Sequence, residues 1–328
     1  MNYEYYSSLC LVTAVVVYAL AMFAHAARRT DEAETADEHA LVSVGASTRP
    51  ELVEGSSEPV NGHPARVDGH LPPVDTAGRQ RVEQFGRIGV ALTVIGFLLS
   101  VSGVVLRGLA AGRPPWGNMF EFTITAMALV VGVYLVMVWR SGLRWLGLPV
   151  TLLAAVGNGL AITVFYVAVA PLVPALHSVW FIIHIVAAAT SGAAFNLGAL
   201  MSIIYLVKKR AEDRGTVRGY LGWVPTSRRI DELAYRFLAF AFPLWTFTVA
   251  AGAIWAEYAW GRYWGWDPKE TWALVTWVIY ACYLHARSTA GWRGTRAAVI
   301  AIIGLASFWF NFVGINLLVS GLHSYAGV

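Results

Sequence analysis

Apolar residues run along this chain in long unbroken blocks, neither alternating as in a strand nor confined to the stripe of a soluble amphipathic helix. Eight blocks stand out, at 4–26, 85–109, 119–139, 148–169, 179–207, 233–258, 272–286 and 297–322. All but the seventh reach the roughly 20 residues that a helix needs to cross a bilayer core. The seventh is short and borrows length from the aromatic loop before it. The pattern predicts an all-α fold, a polytopic integral membrane bundle of about eight transmembrane helices. Composition excludes the alternative. At 57% hydrophobic and 13% charged residues, the chain carries about half the charge of an average soluble protein. A soluble enzyme of 328 residues could not be coated with so little.

One long polar stretch divides the chain into a first helix (1–26), a loop (27–84) and a membrane domain (85–328). The loop has acidic clusters, scattered Pro and Gly and few aromatics, and its part at 43–73 reads as a disordered linker. Apart from Arg87, Arg107, Arg113, Arg262 and Lys269, every Lys and Arg falls in 27–84, 140–147, 208–236 or 287–296. An excess of Lys and Arg marks the cytoplasmic side. Both termini, and the loops at 109–118, 170–178 and 258–271, are therefore expected on the external face. The formal net charge of +4 is then membrane orientation, not a nucleic-acid footprint. Cys10 and Cys282 both lie in apolar blocks, and no CxxC exists. This excludes a c-type cytochrome or a thioredoxin-like reductant. With no charged leader or small-residue cleavage site, 4–26 reads as a retained span.

The external loops hold the unusual chemistry. Residues 255–272 read WAEYAWGRYWGWDPKETW, placing Trp255, Trp260, Trp264, Trp266 and Trp272 within one short segment. An interfacial aromatic belt explains one or two such residues per helix end. It explains poorly a block interleaved with Gly261, Gly265, Asp267, Pro268, Lys269 and Glu270, which favour a shaped surface over a continuous helix. A flat array of indoles suits a large planar apolar ligand. Haem is the obvious one; a quinone or aromatic lipid is less demanding. Arg262 and Lys269 could meet propionates while indoles stack on the ring. Asp267 and Glu270 fit better as holders of the loop's shape, since a carboxylate beside propionates repels them.

Five of the eight histidines lie in or beside the apolar blocks; His39, His63 and His70 fall in the polar loop. His184, near the outer end of the fifth block, and His323, after the eighth, share the side of the tryptophan loop. Two imidazoles are the usual axial pair of a six-coordinate haem, although one interfacial histidine can as well bond to headgroups or backbone. His285 closes the seventh block, about 20 Å deeper along a helix than Trp272, and His25 ends the first at similar depth. An ionisable residue within a span is a functional candidate, so the two suggest an inner site; both could also be interfacial anchors. His177 could line the outer site or do nothing. Asn118 and Glu121 in GRPPWGNMFEF, and Asn311 and Asn316 in the last block, are candidate ligand contacts or ordinary interhelical glue. A buried Glu121 needs a partner.

Taken together, WGWDPKETWALVTW at 264–277, Trp260 before it, NFVGINLLVSGLHSY and RPPWGNMFEF closely resemble the tryptophan-rich WWD haem-handling family. The resemblance is to the CcsA/ResC branch of system II cytochrome c biogenesis, and covers all but about residues 30–80. It implies haem b, moved across the bacterial cytoplasmic membrane and presented outside for attachment to apocytochrome c CxxCH motifs. It implies His184 and His323 as the external haem ligands and His285 as a transmembrane one. A second transmembrane ligand is implied on a separate ResB/Ccs1-like membrane subunit, which leaves His25 a bystander. Thiol-reducing proteins of the same pathway and membrane lipid complete the expected partners, with no nucleic acid. His177 departs from the family pattern and leaves a second assignment open against His184. Catalysis in such a synthetase is mostly templating, because the thiols belong to the client. A quinone-binding redox subunit and a non-catalytic assembly factor are the competing readings.

Overall fold

The computed structural model describes the backbone of residues 2–47 and 76–323, and the side chains of residues 2–27 and 84–323. Every regular element among the described residues is helical, as expected where lipid offers a backbone no partners outside its own helix. The long helices are α1 (Tyr3–Ser47), α2 (Thr76–Ala111), α3 (Met119–Ser141), α4 (Gly147–Thr163) and α5 (Val179–Asp213). A short α6 (Tyr220–Trp223) leads to α7 (Ser227–Trp260), α8 (Pro268–Ser288) and α9 (Thr295–Trp309). A π turn, Phe310–Gly314, then joins α9 to α10 (Ile315–Leu318).

Seven helical segments are long and apolar enough to cross a membrane: Tyr3–Ala27, Gln84–Ala111, Met119–Ser141, Arg144–Thr163, Val179–Asp213, Ser227–Trp260 and Thr295–Leu318. The eighth expected span, α8, is a 21-residue helix but falls short in hydropathy, because Lys269, Glu270, His285 and Arg287 sit in its terminal turns. Its position is nevertheless that of a spanning helix, packed beside α7 and α9. At its C-terminal end Arg287 forms a bidentate pair with Asp231 near the start of α7. At its N-terminal end Asp267 meets His323, beyond α10. The chain thus runs antiparallel through α7, α8 and α9.

Two expectations shift. Helices α1 and α2 continue into the polar stretch expected as loop, while the expected disordered linker, 43–73, lies outside the described residues from position 48 onward. Helix α4 ends at Thr163, not at 169. Its continuation unwinds to supply backbone to charged side chains: the Val167 carbonyl accepts from buried Arg107, and the Val169 amide donates to the partly exposed Glu4.

Packing is by close helix contact. Helix α1 lies against α2 and α4, α5 against α7, and α3 bridges α4 and α5. Between α5 and α8, Phe195 stacks on Tyr280 with ring centroids 3.9 Å apart. Apolar side chains such as Leu98, Phe240 and Ile303 face outward, as lipid permits. At one end of the bundle lie Glu4 of α1, Arg107 of α2, Glu121 of α3 and the 167–170 segment. The N-terminus of α5, the C-terminus of α7 and the N-terminus of α8 share that end. Each loop expected on the external face is among them.

Candidate functional site

The aromatic loop is held by the start of α8. Asp267 is its N-cap and Pro268 its first residue, where a missing N–H costs nothing. Asp267 accepts from the Lys269 amide at 3.1 Å, and Glu270 accepts from the Asp267 amide at 3.1 Å, closing a capping box. Glu270 also accepts from the Gly265 amide at 2.9 Å and from Arg262 at 3.0 Å. One carboxylate thus folds residues 262–270 onto the helix start.

Asp267 has a second task. Its Oδ1 lies 2.9 Å from Nδ1 of His323, and its Oδ2 accepts from the Leu322 amide at 2.8 Å. Gly321 permits the approach, since a Cβ there would lie 2.7 Å from that Oδ2. Burial opposes ionisation of Asp267, but the bonds from His323 and Leu322 prevail and hold its carboxyl down to about 2. Burial also pushes the His323 imidazole below its usual value, against the pull of Asp267. The ring is therefore neutral near pH 7, the form that ligates a metal.

His184 reaches the same place from α5. Its Nδ1 lies 2.9 Å from the carbonyl of Thr248 on α7, and its ring stacks on Trp255 at 5.7 Å and 23°. Trp255 is fixed by its own bond to the Ala175 carbonyl at 2.8 Å. Trp260 lies 5.0 Å from Trp255, and His323 lies 4.9 Å from Trp260 and 5.8 Å from Trp255. These rings border a cleft enclosing about 1150 Å³, counted out to its open mouth.

Of the residues singled out in the sequence, His184, His323, Trp255, Trp260, Trp264, Lys269, Glu270, Asn118, Asn311 and Asn316 line this cleft. Arg262 does not; it is spent on Glu270. Asp267 stands behind His323, Trp272 packs on Phe310 at 4.4 Å, and Trp266 is 68% exposed. These four shape the loop around the cleft. His177 caps a turn away from it and is exposed. Of the two loop cations only Lys269 faces the cleft, its ammonium donating to Asn316 at 2.6 Å.

His285 and His25 lie at the opposite end and in different surroundings. His285 is exposed on α8, and its carbonyl serves the helix end by accepting from Thr289. His25 is buried against α2 and α4, where a Cβ on Gly89 or Gly147 would collide with its ring. His39, His63 and His70 lie outside the residues whose side chains are described.

Glu121 finds two partners: Arg107 at 3.1 Å and Arg113 at 2.7 Å. Sequence reasoning missed the far walls of the cleft, formed by Trp116, Phe122, Phe181, Trp245 and Phe308. Only Trp116 and Phe122, inside the RPPWGNMFEF motif, carried a signal. Among the described residues no cluster of three or more His, Cys, Asp or Glu could hold a bare metal ion. Two imidazoles on a planar apolar cleft present a different donor set.

Fold and cleft define a multi-pass helical membrane protein with a histidine- and tryptophan-lined cleft at one end. The family profile described as "Cytochrome C assembly protein" matches residues 91–323. The chain belongs to this family of cytochrome c biogenesis membrane proteins. It is 35% identical over 271 residues to the cytochrome c biogenesis protein CcsA of Mesostigma viride, covering 74% of this chain and 87% of the relative. Similarity to the CcsA protein of Porphyra purpurea is 32% over 283 residues, covering 75% and 89%. Among solved structures, the cytochrome c haem lyase CcmF superposes with a TM-score of 0.60 over 95% of this chain and 47% of that one. At 13% identity that likeness is one of fold.

Proposed function

We propose that this protein moves haem b across the membrane and holds it at the outer cleft for ligation to apocytochrome c CxxCH motifs, as in system II cytochrome c maturation. One observation carries the reading. His184 and His323, from distant parts of the chain, border one tryptophan-lined cleft, and each Nδ1 is engaged by a protein acceptor. Metal-ligating histidines are held in this way: the acceptor fixes tautomer and ring orientation and directs Nε2 at the iron.

The roles of the other residues follow from their positions. Trp255, Trp260 and Trp264 supply flat apolar faces, and Lys269 a cation for the carboxylates. Asp267, Glu270, Arg262, Trp266 and Trp272 keep the loop in shape. No cleft residue pairs as nucleophile and base. The chain acts within a haem-ligation complex by holding haem in a fixed pose while the client's cysteines approach, and such positioning supplies much of a rate enhancement. Exposed His285 would act with a ResB/Ccs1-like subunit, and thiol-reducing proteins would keep the client ready.

The test is the absorption spectrum of the complex purified with its partner, comparing wild type, His184→Ala and His323→Ala. A low-spin, six-coordinate spectrum that weakens in both variants and returns with added imidazole supports the reading. An unchanged spectrum in both would move the haem to His285 and the partner. An intact complex without haem would favour a quinone ligand or an assembly role.

A further inference from the structure

Helix α5 outruns the apolar block that predicts it, and its last turns form a surface of their own at the end of the bundle opposite the cleft. Positions 203, 207, 210 and 214 lie three or four apart, which puts them on one helix face. They are Ile203, Val207, Arg210 and Arg214, two aliphatic side chains followed by two guanidinium groups, all exposed. A recess of about 980 Å³, counted out to its open mouth, lies over the outer part of this face. Leu206 and Val207 form its apolar side, and Lys209, Arg210, Asp213 and Arg214 its polar side. Thr295, the first residue of α9, closes it. Helix α9 comes this close because its N-cap is Gly294, at φ 69°, where a Cβ would lie 2.6 Å from the Tyr205 hydroxyl of α5. Beyond Thr295, Val299 and Ile303 follow at four-residue spacing and are exposed as well. The seam of α5 and α9 thus carries aliphatic side chains at bilayer depth and cations at its rim.

One carboxylate shares the recess. Asp213 pairs with Lys209, one turn back on α5, while Glu212 is occupied by Lys208 and the Ser227 amide. Among the described residues no carboxylate forms an ion pair with Arg210 or Arg214. The flanking segments add only cations: 214–219 and 291–296 hold Arg214, Arg218, Arg293 and Arg296, and no Asp or Glu. The excess of Lys and Arg on one side of a membrane protein accounts for cations at this end. It does not account for two guanidinium groups without a carboxylate partner, set above a lipid-facing aliphatic surface in a recess between two helices. Basic recesses of that form take phospholipid headgroups.

We propose that the recess between the end of α5 and the start of α9 binds an anionic phospholipid, its phosphate meeting Arg210 and Arg214 and an acyl chain lying along Val207 and Ile203. Guanidinium groups present paired N–H donors to phosphate oxygens. Their long stems lie over apolar surface while the charge stays at headgroup level. A free phosphate would satisfy the cations but leave the aliphatic side chains uncovered, which favours the lipid. The site is separate from the haem cleft and does not rest on it.

The test titrates the full chain in detergent with phosphatidylglycerol or phosphatidylcholine and reads the lipid retained by native mass spectrometry. Wild type is expected to retain the anionic lipid about tenfold more strongly than the zwitterionic one. Arg210→Gln combined with Arg214→Gln should bring the two lipids to within about twofold. Arg228→Gln combined with Arg229→Gln removes the same charge at the same end, from exposed arginines that flank Glu232, and should keep the wild-type preference. Should the first double variant fail to assemble, Asp213→Asn tests the site in the other direction. It removes the carboxylate of the recess, frees Lys209 and should strengthen retention of phosphatidylglycerol severalfold. A wild-type preference in the first double variant, an equal loss in the second, or no gain in Asp213→Asn would overturn the proposal. So would displacement of the lipid by millimolar inorganic phosphate, which would make the recess a site for a free anion.

Discussion

Nδ1 of His323 lies 2.9 Å from Oδ1 of Asp267, and that same Oδ1 caps α8 through the Lys269 amide. The aspartate of the tryptophan-rich loop therefore fixes a candidate ligand and starts a helix at once. Asparagine in its place can still cap, because it too offers an oxygen, but it is a weaker acceptor for the imidazole. Asp267→Asn is expected to lower haem affinity by about tenfold, within the 10–100-fold range seen when a ligand's hydrogen-bond partner is changed. Asp267→Ala should lose more and also about 1 kcal/mol of helix capping. Haem titration read alongside thermal unfolding in detergent separates the two losses.

Gly252 makes room for His184. A Cβ at that position would lie 2.8 Å from Nδ1 of His184, where the bond to the Thr248 carbonyl now runs. Gly252→Ala should tilt the ring off Trp255 and weaken the low-spin spectrum without loss of protein. Gly159→Ala is the control, because its added methyl meets nothing within 4 Å. Equal spectra in the two variants would mean that the orientation of His184 is immaterial.

Much of this site is legible in the sequence, for physical reasons. Apolar blocks report burial in lipid residue by residue, so the spans and the sharing of one end by the aromatic loop, His184 and His323 could be read directly. The limit lies in direction. Trp264 and Trp266 are two residues apart in one motif, yet one lines the cleft and the other is exposed. The difference comes from a backbone at φ 57° in Trp266, which no composition reveals. Arg262 and Lys269 likewise look equivalent until Glu270 claims the first. The Thr248 carbonyl that holds His184 is a backbone atom and leaves no sequence signal.

Depth along a helix suggested that His25 and His285 form an inner site, but the two occupy different faces of the bundle. His25 fills a glycine-lined niche between α2 and α4, while His285 is exposed on α8. His25→Leu is expected to leave the haem spectrum unchanged and to lower thermal stability, because a branched side chain fits that niche poorly. His285→Ala should leave the isolated chain's stability as it is and change haem content only in the complex with the partner subunit. Haem loss in His25→Leu, in a complex of normal abundance, would return His25 to the site.

Glu121 is fully buried, and Arg107 is 1% exposed. Arg107 also reaches Glu4 at 3.1 Å and the Val167 carbonyl at 2.6 Å, while Arg113 meets the second oxygen of Glu121 at 2.7 Å. The cluster ties α1, α2, α3 and the segment after α4 into one end of the bundle, next to the cleft. Removing one member leaves the others charged and buried, which costs about 3–5 kcal/mol where a buried pair is broken. Glu121→Ala is therefore expected to cut the yield of folded protein steeply, by leaving Arg107 with the partly exposed Glu4 as its remaining counter-charge. Arg113→Ala should be milder, because Glu121 keeps Arg107 and Arg113 is itself 14% exposed. Fluorescence-detected size exclusion in detergent, followed by thermal melting of whatever elutes as a single species, ranks the two variants. A Glu121→Ala protein as stable as wild type would mean that lipid headgroups or water take over the arginines, and that this end of the bundle does not depend on its buried charges.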